Sequence, residues 1–266
     1  MTINGLLTCS AKELALPHTI TDTPVLHFPD HPQLADVTSI SFNHMRAQVM
    51  VIVDSTRVGI GISIYGDSKV ADEVNICSRG GHAALGDLNK SRGAYGESCE
   101  ILLVLTVPSR IKLDTCDFAG RIGLGGIPAD MVSIDTHDDV EFYAECVGQL
   151  KARARDASVI EVDTVTNDLV LTLFNQSKFS AQRAYGNANL TVDGEGRSNI
   201  CSGLASSAEF ISTGSGLLLY GGTVAGNAKI EQHGSGQMSI YEVRTDCVPK
   251  VTGSGTVSFN GKIYRS

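Results

Sequence analysis

The sequence predicts an all-β chain, a single-domain parallel β-helix (solenoid) with coils of about 20 residues, and three observations carry that prediction. Gly214-Ser215-Gly216, Gly234-Ser235-Gly236 and Gly253-Ser254-Gly255 recur at intervals of 20 and 19, and Gly194-Glu195-Gly196 lies 20 residues before the first of them. A short alternating strand precedes and follows each of these turns. Helical periodicity is missing almost everywhere else. A unit of two strands and two turns cannot bury its own apolar face, so successive units must stack, and units of this size stack as β-helical coils.

Taken in order, residues 1–36 hold four of the seven prolines (Pro17, Pro24, Pro29, Pro32). Proline cannot donate to a ladder, which predicts an extended N-terminal segment that acts as a cap before a β-helix domain at 37–266. Gln48–Val53, Gly59–Tyr65 and Glu100–Val107 read as strands. Tyr143–Arg155 alone has some helical character, weakened by Val147-Gly148. From Ile111 to the end the same beat gives about eight coils of 18 to 21 residues. Ile111-Lys112-Leu113 leads to Arg121–Leu124, Val132-Ser133-Ile134 to Val140–Tyr143, Leu150-Lys151-Ala152 to Val159–Val162, and Leu169–Leu173 to Lys178-Phe179. Leu190–Val192, Phe210-Ile211, Lys229-Ile230 and Val251 then open the four glycine-turn coils. Each coil would advance by about 4.8 Å, or roughly 40 Å for all eight. Ile200, Leu218, Ile240 and Val257 are expected to point inward as one interior column, with Ser239 and Ser258 facing water. Cys201 falls where an inward residue is expected. Glycine at the corners supplies positive φ.

Composition narrows the partners. Twenty-one Lys plus Arg against 29 Asp plus Glu give a net charge of −8, which repels nucleic-acid backbones and anionic lipid. The longest apolar runs, Ala47–Val53 and Ile101–Val107, fall far short of the roughly 20 residues of a spanning helix, so no membrane insertion is expected. The seven cysteines (Cys9, Cys77, Cys99, Cys116, Cys146, Cys201, Cys247) are far apart with no C-x-x-C pair, which points to free thiols of a reducing, cytoplasmic compartment and away from zinc. Met1–Pro17 has no basic start or sustained apolar stretch, so no signal peptide is read there, and Leu6-Leu7-Thr8-Cys9 is only a faint lipoprotein pattern.

Candidate chemistry is sparse. Asp135, His137, Asp138, Asp139 and Glu141 form the densest polar run and could hold a divalent cation or supply paired carboxylates, but a solvated turn rich in Asp is the favoured reading of them. Glu161 and Asp163 share an outer strand face, and Lys151, Arg153 and Arg155 share another, where a solvated face or a salt-bridge ladder between the two groups is expected over a partner-binding stripe. Gly123-Leu124-Gly125-Gly126 lacks the Lys-Ser/Thr and the helix of a phosphate loop. His82 and His137 have no partner at ligand spacing, and no Ser or Cys sits in a nucleophile setting. With no Trp, 7 Tyr and 8 Phe, the chain is poorly supplied for stacking sugars in a cleavage groove. No catalytic, cofactor-binding or metal-binding residue is therefore assigned, and the chain reads as a non-enzyme.

Gly214-Ser215-Gly216-Leu217-Leu218, Gly234-Ser235-Gly236-Gln237-Met238 and Gly253-Ser254-Gly255-Thr256-Val257 resemble the repeats of the putative auto-transporter adhesin family with its head-GIN domain, a bacterial parallel β-helix. Ala47–Val53, Ile60–Ile64 followed by Gly66-Asp67, and Leu103–Pro108 are similar to the opening strands of that family, so the resemblance spans about residues 37–266. It implies an exported, cell-envelope protein that binds a surface protein or glycan through its outer faces. A cytoplasmic, self-assembling bactofilin-like scaffold is the alternative, and a β-helical carbohydrate-active enzyme a second one. Lys262 and Arg265 beside Ile263 and Tyr264 oppose strand addition at the last edge, which predicts a monomer or small homo-oligomer.

Overall fold

A computed structural model describes residues 24, 26–28, 34–66, 74–86, 101–126 and 128–266. The readings made on Met1–Pro17, on Leu6 to Cys9, on Asp67 and on Cys99 lie outside these residues, as does most of the segment 1–36. The chain is all-β, a parallel β-solenoid with coils of about 20 residues, and it divides into two compact units, Met1–Glu145 and Cys146–Ser266.

The N-terminal unit holds β1 (Leu26–Phe28), β2 (Ser39–Val53), β3 (Gly61–Tyr65), β4 (Asn75–Arg79), β5 (His82–Gly86), β6 (Leu102–Val107), β7 (Arg110–Gly126), β8 (Ala129–Thr136) and the start of β9 (Val140–Ala154). β2 is its centre. Along one side β2 pairs in parallel with β7, from Ser39↔Lys112 to Val53↔Gly126, and along the other with β5 (Ser39↔His82) and β6 (Gln48↔Leu102). β7 in turn carries β8 (Ile111↔Val132) and β9 (Ile122↔Phe142), the coil pairs that the sequence predicts. Inward alternation buries Ile40, Phe42, Val49, Val51, Leu113, Phe118 and Ile122 completely, and the Phe42 and Phe118 rings sit 5.5 Å apart. Each such side chain contributes about 1.5–3 kcal/mol of burial. The parallel ladder stops at antiparallel strands: β4 runs against β5, β3 against β6, and β1 against β3.

The C-terminal unit takes the rest of β9 and then β10 (Val159–Val165), β11 (Leu169–Leu173), β12 (Lys178–Gly194), β13 (Arg197–Gly214), β14 (Leu217–Val224), β15 (Ala228–Gly234), β16 (Gln237–Val243), β17 (Lys250–Thr252), β18 (Thr256–Phe259) and β19 (Lys262–Tyr264). Leu150↔Leu169, Leu171↔Leu190 and Leu190↔Phe210 show successive coils in parallel register, 19 or 20 residues apart. The helical character read at Tyr143–Arg155 is overridden: the segment is β9, whose last turn of sequence alternates buried Leu150, Ala152 and Ala154 with exposed Lys151 and Arg153. Parallel pairing with β11, from Leu150↔Leu169 to Ala154↔Leu173, takes up its backbone groups in the ladder and buries the alternate side chains.

Ile200, Leu218, Ile240 and Val257 all point inward, at no more than 2% exposure, but they form two columns instead of one. Phe179, Ser198, Leu218, Met238 and Val257 stack in one; Ala181, Ile200, Tyr220 and Ile240 stack in the other. Cys201 is exposed, one step out of phase with buried Ile200, which corrects its expected inward placement.

One corner runs through every coil of this unit. Its first position is Asp156, Asn175, Gly194, Gly214, Gly234 and Gly253 in turn, all at positive φ between 55° and 119°. Aspartate and asparagine tolerate the left-handed region better than other side chains and so stand in for glycine in the two earliest coils. The same bond repeats from Gln176 N to Asp156 O (3.0 Å) through Glu195 N to Asn175 O (2.9 Å) and Ser215 N to Gly194 O (2.9 Å) as far as Ser235 N, and at the last step Gly255 N donates to Gly234 O (2.7 Å). Two positions on, Ser158, Ser177, Gly196, Gly216, Gly236 and Gly255 are all buried and small. A Cβ on Gly216 would lie 2.7 Å from both Gly196 O and Val192 Cγ1. The ladder ends at β19, which folds back antiparallel on β18 with the Phe259 and Tyr264 rings stacked at 4.8 Å.

Candidate functional site

Two surfaces gather polar chemistry, one in each unit. In the N-terminal unit the parallel pairing of β7 with β8 sets Asp114 beside Asp135, and the turn after β8 brings His137 to them. One ligand atom from each of the three lies within 4.8 Å of the others, and all three side chains are half-buried. His137 Nε2 is 3.6 Å from Asp135 Oδ1, and its backbone N–H donates to Thr115 Oγ1 at 3.0 Å. Two carboxylates and an imidazole on one face supply three of the ligands that a divalent cation takes and leave the rest open to water.

The acidic run read from the sequence therefore divides. Asp135 and His137 join the cluster, Asp138 makes the turn at φ 64°, and Asp139 is exposed. Glu141 turns away, accepting from Arg121 Nε at 2.7 Å and from the Tyr143 hydroxyl at 3.0 Å. Asp114, which sequence reasoning missed, enters because it lies one coil earlier in register with Asp135; the coil period was the signal that could have found it. On the same face Ser41 is in register with Asp114 and nearly buried. His82 uses both ring nitrogens as a brace, Nε2 to Ser41 Oγ and Nδ1 to Ser39 Oγ at 3.1 Å each, while Asn43 Nδ2 donates to Ser41 Oγ at 3.0 Å. A histidine with both nitrogens engaged ties strands β2 and β5 together. Gly123-Leu124-Gly125-Gly126 lies within strand β7, not in a loop.

In the C-terminal unit the outward side chains bond from coil to coil. Thr213 Oγ1 donates to Asp193 Oδ1 (2.6 Å), Asn187 Nδ2 to Asp168 Oδ1 (2.9 Å) and Ser207 Oγ to Asn187 Oδ1 (2.7 Å). Lys229 Nζ donates to Glu209 Oε1 at 2.7 Å, and that bond holds the ammonium above its ordinary pKa. His233 bridges Thr252 and Glu231, and its contact keeps the Glu231 carboxyl below the usual range. Arg153 and Arg155 both lie over the Phe174 ring, at 5.9 and 5.8 Å, a cation–π arrangement.

Over the glycine corners lies a groove of about 360 Å³, lined by Glu195, Arg197, Ser215, Leu217, Ser235 and Gln237. The backbone N–H groups of Ser215, Leu217, Ser235, Gly236 and Gln237 all donate to carbonyls of the preceding coil, so they are not left over for an anion. The groove's recognition groups are side chains. Among the described residues the Arg197 guanidinium, the Ser215 and Ser235 hydroxyls and the Gln237 amide have no hydrogen-bond partner within the chain and are exposed. Register puts Arg197, Leu217 and Gln237 on successive coils, about 4.8 Å apart.

No family model and no curated protein matches the sequence. Solved structures do share its fold. A putative adhesin from Parabacteroides distasonis superposes with a TM-score of 0.70 at 13% identity over 85% of this chain and 93% of that one. A putative adhesin from Parabacteroides merdae gives 0.67 at 15% identity, over 84% and 92%. A putative lipid binding protein from Parabacteroides distasonis gives 0.64 at 14%, over 85% and 93%. At these identities the likeness is one of fold.

Proposed function

We propose that this chain is a non-catalytic binding protein of the adhesin type, a member of the head-GIN class of the bacterial cell envelope, which engages a surface glycan or protein through its outer faces. The observation that carries the reading is the groove over the glycine corners, where four polar side chains without partners stand on a backbone whose N–H groups at Ser215, Leu217, Ser235, Gly236 and Gln237 are engaged by the preceding coil. Such a site is rigid before its ligand arrives, so little ordering entropy is lost on binding. Arg197 favours a carboxylate, which a guanidinium can grip with two parallel bonds. The serines and Gln237 favour hydroxyls, and Leu217 offers an apolar patch between them.

In the same reading residues 1–36 cap the open strand edge of the N-terminal unit. The fold-sharing proteins named as adhesins support this choice over a scaffold, and so do the short antiparallel strands at which the parallel ladders stop. Calorimetric titration with oligogalacturonate and with a neutral oligosaccharide of equal length tests it. Binding of the acidic chain, weakened about tenfold or more by Arg197→Ala and partly restored by Arg197→Lys, is the expected result. Turnover of either sugar, or binding indifferent to Arg197, contradicts it.

A further inference from the structure

Among the described residues the interior of the C-terminal unit buries few polar side chains, Ser158, Ser177, Ser198, Ser212 and Gln232, together with the Tyr220 hydroxyl, and two of them stand out. Ser212 and Gln232 are both fully buried, and among the described residues the Ser212 hydroxyl and both amide atoms of Gln232 have no partner within the protein. They are neighbours. Parallel register stacks Val192, Ser212, Gln232 and Val251 in one column, so the hydroxyl and the amide sit on successive coils about 4.8 Å apart.

That column lies directly beneath the glycine corner. A Cβ on Gly236 would come within 3.2 Å of Gln232 Nε2, and one on Gly255 within 3.0 Å of Gln232 Cγ. Glycine at these positions is what lets the long amide side chain fold in under the turn. The serine, where the coil before it has Val192, leaves out a methyl's volume next to that amide.

Buried polar groups in folded proteins are bonded to protein or to ordered water, and a water held inside typically makes two to four such bonds. We infer that Ser212 and Gln232 form an internal water-binding site, in which one water molecule bridges the Ser212 hydroxyl and the Gln232 amide behind the glycine corner. The amide offers a donor and an acceptor, and the hydroxyl offers both, so the bridge satisfies all three orphaned atoms with no charge buried. The site belongs to the inside of the coil stack and is separate from the outer groove.

A high-resolution crystal structure of the full chain tests this on the unaltered protein. Density within hydrogen-bond distance of both Ser212 Oγ and the Gln232 amide is the expected result. A Gln232 amide bonded directly to Ser212 or to main chain, with no such density, overturns the inference. A double-mutant cycle gives the second reading: Ser212→Val and Gln232→Leu each strand the other's polar group and lower the melting temperature by about 2–6 °C. Their combination, which removes both partners, should lower it by clearly less than the two shifts added together. Simple additivity would mean that the residues share nothing and would also overturn the inference.

Discussion

Leu218 shows what an inward position contributes. It is wholly buried between Ser198 and Met238 in its column, so Leu218→Ala removes apolar burial and leaves a cavity, at a cost of about 2–5 kcal/mol in chemical denaturation. Tyr241→Ala, at a side chain 72% exposed on the adjoining strand, should stay within about 0.5 kcal/mol. Tyr220 adds a pH dependence. Burial pushes its phenol up to about 12 from an ordinary 10.0. The folded state thus keeps a proton that the unfolded state releases, and the stability tied to it is complete below pH 10 and lost as pH rises towards 12. A denaturation midpoint that falls over that window, and falls less in Tyr220→Phe, is the expected measurement.

The residue scale also shows why one interior column was misread. Inward alternation has a period of two, so shifting a strand by two residues leaves its phase unchanged, and apolar pattern alone cannot tell Ile200 from Ser198 as the mate of Leu218. The corner glycine can. Ser198, Leu218, Met238 and Val257 each lie two residues after Gly196, Gly216, Gly236 and Gly255, which is the column observed. Asp114 was missed for a related reason: its place beside Asp135 is set by coil register, not by nearness in sequence.

At the scale of the element, the corner sets the coil. Its legible part in the sequence was the glycine triplets; its form in the earlier coils, Asp156-Ala157-Ser158 and Asn175-Gln176-Ser177, was hidden because different residues meet the same demand for positive φ followed by a small side chain. The demand can be separated into its parts. Gly214 has φ 89° and a Cβ there would lie 2.7 Å from Gly194 O, so Gly214→Ala meets both strain and a clash. Gly261 has φ 72° with nothing within 4 Å, so Gly261→Ala meets strain alone. Gly261→Ala should cost about 1 kcal/mol and Gly214→Ala clearly more, about 3 kcal/mol, by urea denaturation. Equal costs would mean that the coils can move apart at the corner and that close stacking there is unimportant. In the N-terminal unit the strands at Gln48–Val53, Gly59–Tyr65 and Glu100–Val107 were legible from their β-branched runs, but the antiparallel pairing of β3 was not, since direction leaves no mark on a short strand, and β4, with Asn75, Ser78 and Arg79, has too little apolar pattern to be read.

For the whole molecule, the choice between a binding protein and a polymerising scaffold depends on unpaired strand edges. A scaffold needs parallel edges that accept another copy. Here the outermost strands are short and antiparallel, β1 and β19 at three residues each and β4 at five, and Lys262 and Arg265 flank the last of them. Removing residues 260–266 should expose β18 and promote association, and removing residues 1–36 should do the same if that segment is the cap we propose. The full-length chain is the direct test. Light scattering across a range of concentrations, with electron microscopy of the same samples, should find one or two chains per particle and no filaments, whereas long filaments from the intact protein would contradict the binding-protein account and favour a scaffold.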